Sequence, residues 1–152
     1  MSGLLDKLLA SIGLIPDPDY SESVKRAQRG DPLAQSDLAL FYIKGEIVPR
    51  DYERAIELLT MSAESGYPGA QYSLGNAYYL GYIGRRKDYI RAYAWFSVYV
   101  LCTPRLRWCG IDQREDLEKL MTPEEIAEAQ DVSKAIMAKI EIAKNRWRDP
   151  LS

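Results

Sequence analysis

Cys102 and Cys109 are the only thiols in the chain, and there is no histidine. Histidine is the commonest general base and the commonest metal ligand, so triads, dyads and zinc sites built on it are excluded. Two thiols cannot complete a four-thiolate site, and their Cys-x6-Cys spacing matches no familiar metal or redox motif. On one straight helix they would stand about 10 Å apart along the axis, too far to bridge. Pro104 lies between them and permits a turn, which leaves a disulfide open; free buried thiols in a reducing cytosol are the expected state. The carboxylate pairs Glu115/Asp116 and Glu124/Glu125 are sequence neighbours, so a helix points them to different sides, and they read as solubility and capping. Gly81-Tyr-Ile-Gly84-Arg-Arg reads as a loop closing a structural unit, because two lone glycines are no phosphate cradle. The chain is therefore read as not an enzyme, with no catalytic residue, no cofactor and no metal ligand assigned.

In place of a reactive cluster the chain has tyrosine, 11 against 2 phenylalanines. Tyrosine and arginine are favoured at interface hot spots, because they bury a large area with few rotors and keep a polar end. Which tyrosines could meet a partner depends on the elements that carry them, and those elements are written twice. Pro32, Ala34, Gln35, Leu38, Tyr42 and Gly45 recur 36 residues later as Pro68, Ala70, Gln71, Leu74, Tyr78 and Gly81. Asp51, Tyr52, Arg54 and Ala55 recur 37 residues later as Asp88, Tyr89, Arg91 and Ala92, so one residue is inserted in the loop between. Self-similarity at this period is the mark of a helical solenoid.

The residue types follow from the unit. Gly45 and Gly81 sit where each first helix ends, and Gly30 and Gly66 where the preceding helices end, in the left-handed conformation that glycine adopts without strain. Asp51 and Asp88 open each second helix, where a short acidic side chain accepts from free backbone N–H groups. Ala34, Ala39, Ala55, Ala63, Ala70, Gly75 and Ala92 let helices approach closely, and Leu38, Tyr42, Leu58, Leu74, Tyr78 and Trp95 fill the space between them.

Positions that pack the array stay alike between copies, so positions that differ are candidates for an open face. Ser36, Leu40 and Ile43 correspond to Tyr72, Asn76 and Tyr79, and their i, i+4, i+7 spacing forms one helical stripe. Stacked stripes line a common concave surface. Tyr82, Arg85 and Arg86 extend it at the loop, and Trp108 falls on Tyr72 if Pro104 continues the series from Pro68. In that register Leu106 falls on Ala70, and Gly110 on Leu74 where a core residue is expected.

The pattern Ala-x3-Leu-Ala/Gly-x2-Tyr-x2-Gly, a short loop, then Asp-x3-Ala resembles the Sel1-like repeat, a relative of the tetratricopeptide repeat. Ala92-Tyr-Ala-Trp-Phe96 resembles the second helix of bacterial members, and Met121-Thr-Pro-Glu-Glu-Ile-Ala-Glu-Ala-Gln130 the helix that closes their arrays. The likeness runs from about Gln28 to Gln130. It implies an all-α fold, a short right-handed α-solenoid (α/α superhelix) with capping helices at both ends, used to hold other proteins. Two departures stand out: Ala39 replaces the usual glycine of the first copy, and the third copy after Pro104 is eroded.

A length of 152 residues is enough for one domain with a sizeable core, and 47% hydrophobic with 28% charged residues is an ordinary globular balance. A net charge of −2 argues against nucleic acid as a partner. Leu4, Leu5, Leu8, Leu9 and Ile12 make residues 1–15 a short amphipathic helix ended by Gly13 and Pro16. Asp6 and Lys7 interrupt its apolar run and no base precedes them, so it does not read as a secretory signal and the location is expected to be cytoplasmic. It reads as a lid on the solenoid end; a partner or membrane anchor is the competing role, weakened by its single lysine.

Residues 16–152 then form one repeat domain, with units at about 31–66 and 67–103 and a degenerate remainder with capping helix at 104–148. Ser21 to Gln28 stands in for the second helix of an earlier unit. Thr122-Pro123-Glu124-Glu125 starts a helix with a capping box, followed by Ile126, Val132, Ile136, Ile140, Ala143 and Trp147 on one face, with its late basic residues on a solvated face. The expected function is a scaffold or adaptor binding one or more proteins or peptides through the concave face; a dedicated inhibitor or immunity protein for one toxin or enzyme is the competing reading. Homo-oligomerisation stays open.

Overall fold

Short acidic side chains open the helices, and each does the same job. Asp17 accepts from Tyr20 N at 2.9 Å, Asp51 from Arg54 N at 3.0 Å and Asp88 from Arg91 N at 2.9 Å, while Asp31 accepts from Leu33 N and Ala34 N at 3.0 and 3.3 Å. Each supplies one of the partners that the first turn of a helix lacks. In the computed structural model these caps introduce α1 (Pro18–Gln28), α2 (Pro32–Lys44), α3 (Tyr52–Glu64) and α5 (Tyr89–Cys102), whereas α4 (Pro68–Leu80) opens at Tyr67 without a side-chain cap; α6 (Trp108–Glu118) and α7 (Pro123–Arg148) follow. The structure describes residues 4–5, 8–9, 13, 17–81, 87–105 and 108–148, without the side chains of Trp108 and residues 146–148. First helices end on glycines in the left-handed region, Gly45 at φ 68° and Gly81 at φ 71°.

Hairpins α2/α3 and α4/α5 stack in order, with α1 against α2, α3 against α4 and α5 against α6. α7 turns back over α5 and reaches α3. α5 is therefore buried on every side from Ala92 to Tyr99. The first and second helices of a unit cross where a small residue meets a large one. A Cβ added to Gly75 would come within 2.6 Å of the Phe96 ring, so only glycine fits. One unit earlier the matched pair is Ala39 and Leu59, both buried. The alanine that departs from the family pattern is thus matched by a smaller partner.

A second recurring contact ties the units together. Gln35 Nε2 donates to the Ala27 carbonyl at 3.4 Å and Gln71 Nε2 to the Ala63 carbonyl at 3.2 Å, each engaging the end of the preceding helix. Ser62 Oγ adds a 2.6 Å bond to the Pro32 carbonyl.

The third unit differs from the sequence register. α6 begins at Trp108, in the place where Pro32 and Pro68 open α2 and α4, so Trp108 does not stand at the Tyr72 position. Trp108 comes four residues later than the period of 36 places it, with one extra residue before α5, one in α5 and two between α5 and α6, and Gly110, third in its helix like Ala34 and Ala70, takes their close-packed place. A Cβ there would meet Val100 and Tyr99 at 2.8 and 2.9 Å. Leu106 lies outside the described residues. The capping box opens α7: Glu125 N donates to Thr122 Oγ1 and Thr122 N to Glu125 Oε2, at 3.2 and 2.8 Å. Ile136 and Ile140 are buried, whereas the side chain of Trp147 is not described. Leu4, Leu5, Leu8 and Leu9 are helical, and the first three are exposed; the rest of that segment, apart from Gly13, lies outside the description.

Gly75→Ala should destabilise the fold by about 1–3 kcal/mol in urea unfolding, and adding Phe96→Leu, which reproduces the Ala39/Leu59 pair, should recover part of that loss. The cap at α2 also has a pH signature. Hydrogen bonds from Arg26, then from the Ala34 N–H, hold the Asp31 carboxyl below its ordinary value. The unfolded chain takes up that proton more readily, so the cap's stabilisation is present above the ordinary aspartate value of about 4 and is lost as pH falls through the lowered folded value. Asp31→Asn should flatten the acid limb of the stability–pH curve, which pH-dependent unfolding midpoints would read.

Candidate protein-binding face

The variable stripe lies on α2 and α4, and the two helices use it differently. On α2, Leu40 is 48% exposed, while Ser36 and Ile43 are half-buried and Ile43 packs against the core. Beside Leu40, Phe41 and Ile47 line a notch of about 310 Å³ whose acidic rim includes Asp19 and Asp37. Sequence comparison between units missed this notch, because Ile47 lies in a loop and Asp19 on the preceding helix.

On α4 the tyrosines are held by the next helices. The Tyr72 ring meets Phe96 and Tyr99 at centroid separations of 5.7 and 5.3 Å, and its hydroxyl accepts from Gln113 Nε2 at 3.3 Å. Tyr79 meets Tyr89 and Phe96 at 6.3 and 6.4 Å. Asn76, between them, is half-buried. Tyr72, Asn76 and Tyr79 thus share one side of α4, with two rings spent partly on packing. Tyr82, Arg85 and Arg86 lie outside the described residues, as does the side chain of Trp108.

α6 is fastened at the end of this face by a polar network that sequence reading did not find. Arg114 Nη2 donates to the Tyr93 hydroxyl at 2.9 Å, and that hydroxyl donates to Glu118 Oε1 at 2.8 Å. The guanidinium also stands 4.9 Å from the Tyr93 ring centroid. Tyr93 is fully buried, so its hydroxyl needs these partners. Eroded repeat spacing after Pro104 hid the pairing, because its members lie 21 and 25 residues apart.

The chemistry of the described residues is that of packing. No group of three or more histidine, cysteine, aspartate or glutamate residues among them could hold a metal ion. Cys102 and Cys109 are free thiols, and Cys102 Sγ lies 3.7 Å from Gln71 Nε2. The Tyr20 hydroxyl is held above its ordinary value, first by its hydrogen bond with Tyr42 and then by burial. Among the described residues no helix is long and apolar enough to cross a membrane.

These repeated hairpins match the Sel1 repeat family over residues 32–67 and 68–97. The chain carries two Sel1 repeats. The Sel1-repeat chain is also similar in structure to a protective antigen present in uropathogenic Escherichia coli strains, whose crystal structure displays an SLR fold. The TM-score is 0.71 at 27% sequence identity, over 99% of this chain and 32% of that one. The Sel1-repeat chain thus spans about a third of that protein's length. A comparison with curated proteins gave no match. Sel1 repeats generally mediate contacts between proteins, and the fold is typically a non-catalytic scaffold.

Ring packing and surface display separate on mutation. Tyr72→Ala should cost about 2–3 kcal/mol in urea unfolding, because it empties the space against Phe96 and Tyr99, whereas Leu40→Ala should stay within about 0.5 kcal/mol.

Proposed function

We propose that this Sel1-repeat protein is a non-enzymatic adaptor that binds a partner protein through the concave side of α2 and α4. The repeat match over residues 32–97 carries this reading, because stacked hairpins of this family present their first helices as one continuous surface. Leu40 is the exposed apolar anchor, Asn76 a polar contact beside it, and Tyr72 and Tyr79 extend the surface; Tyr82, Arg85 and Arg86 are assigned to the same binding role. Ser36 and Ile43 support the α2 end and Trp108 the α6 end. The proposal includes a cytoplasmic location, with which two free thiols agree.

The test must spare the packing rings, so it uses Leu40→Glu with Asn76→Arg. Affinity capture from the source cell, read by mass spectrometry, should recover several proteins with the unmodified chain and lose them with the double variant, at unchanged thermal stability. Partners that ignore the double variant would sink the concave-face reading. A single partner held at sub-nanomolar affinity would move the assignment from adaptor to dedicated inhibitor.

A further inference from the structure

Two turns in the solenoid carry the same backbone, and only one has a helix seated on it among the described residues. Gly30 at φ 84° and Gly66 at φ 92° lead from a second helix into the next first helix. In both, the glycine N–H and the N–H after it reach back to the helix end: Gly30 to Ala27 and Asp31 to Arg26, then Gly66 to Ala63 and Tyr67 to Ser62. Over Gly66, α7 is seated, and a Cβ there would meet Ile140 Cγ2 at 3.6 Å and Lys144 Cε at 3.8 Å. Ile140 and Val98 are both fully buried in this region. Over Gly30 no described atom comes within 4 Å of such a Cβ.

The apolar surface nevertheless continues. Met61, which stands one unit before Val98, is 51% exposed, and Ile142 on α7 is 64% exposed. Both line a groove of about 880 Å³ that Pro32, Gln35 and Ala143 also wall. Gln35 is 3% exposed, and its Oε1 has no hydrogen-bond partner among the described residues. The rim charges are largely paired, Arg26 with Asp31, Lys139 with Glu64 and Lys144 with Glu141. Arg29, also on the rim, has no ion pair among the described residues.

We propose that this groove docks an amphipathic helix of a partner protein, laid on the Gly30 turn as α7 is laid on the Gly66 turn. Continuity with the α7 seat argues for a helix: the turn geometry is the same, and the apolar strip runs on from Val98 and Ile140 to Met61 and Ile142. A branched aliphatic residue of the incoming helix fits between Met61 and Ile142, and a carboxylate beside it meets Arg29. The groove uses none of the residues of the concave stripe, so it stands or falls separately from that face. With both surfaces, one chain joins two proteins.

The α7 sequence is the helix known to fit such a turn, so the probe is a fluorescently labelled synthetic peptide of residues 130–144, titrated against the full chain and read by anisotropy. Saturable binding is expected, weakened at least tenfold by Met61→Glu and unchanged by Leu40→Glu on the other face. No saturable binding, or binding indifferent to Met61→Glu, overturns the proposal. So does binding at least tenfold tighter to the full-length Leu151→Ser variant, which would assign the groove to the last residues of the chain itself.

Discussion

The closeness with which the two helices of a hairpin cross is the constraint on which the rest depends. Helix axes approach only as near as the side chains at the crossing allow, and here one side of the crossing has almost none. Gly75 lies under the Phe96 ring with no room for a methyl group, and Ala39 lies opposite the smaller Leu59. The total volume at the crossing is kept while its division between helices changes, which a close-packed interior tolerates best. Gly110 allows a similarly close approach between units, where α6 closes on Val100 and Tyr99 of α5.

From that spacing follows the orientation of everything polar. Buried amides have to find partners, and carbonyls at the ends of preceding helices can accept a second hydrogen bond beside the one from the turn, so Gln35 and Gln71 reach Ala27 and Ala63 in the same way. The Tyr93 hydroxyl, trapped in the most enclosed helix, is satisfied only because α6 brings Arg114 and Glu118 to it. Rings on α4 are drawn onto α5 for a related reason: tyrosine buries its face wherever a neighbour offers apolar surface, and Phe96, Tyr89 and Tyr99 do. α2 faces smaller second-helix neighbours and leaves Leu40 more open. The two copies of one motif thus present different surfaces.

The array ends by folding back. α7 covers α5 and the Gly66 turn, so the second unit is closed where the first leaves a groove. A long closing helix spreads its protection unevenly over a short solenoid, and this unevenness separates a sealed edge from an edge with an apolar opening.

Much of this was legible in the residues alone. A period of 36 to 37 residues, proline and aspartate at helix starts and glycine at helix ends specify the hairpins, because capping and helix periodicity are local and act within one turn of chain. The start of the third unit was misplaced, since four extra residues spread over the preceding loop, α5 and the connection after it leave no local mark when the repeat pattern has decayed. The side on which a tyrosine spends its ring, the partners of Tyr93 and the groove beside Gly30 came only with the tertiary structure. Each depends on residues that different helices bring together, and the distance between two helices is set by the volumes on both, which neither stretch of sequence holds by itself.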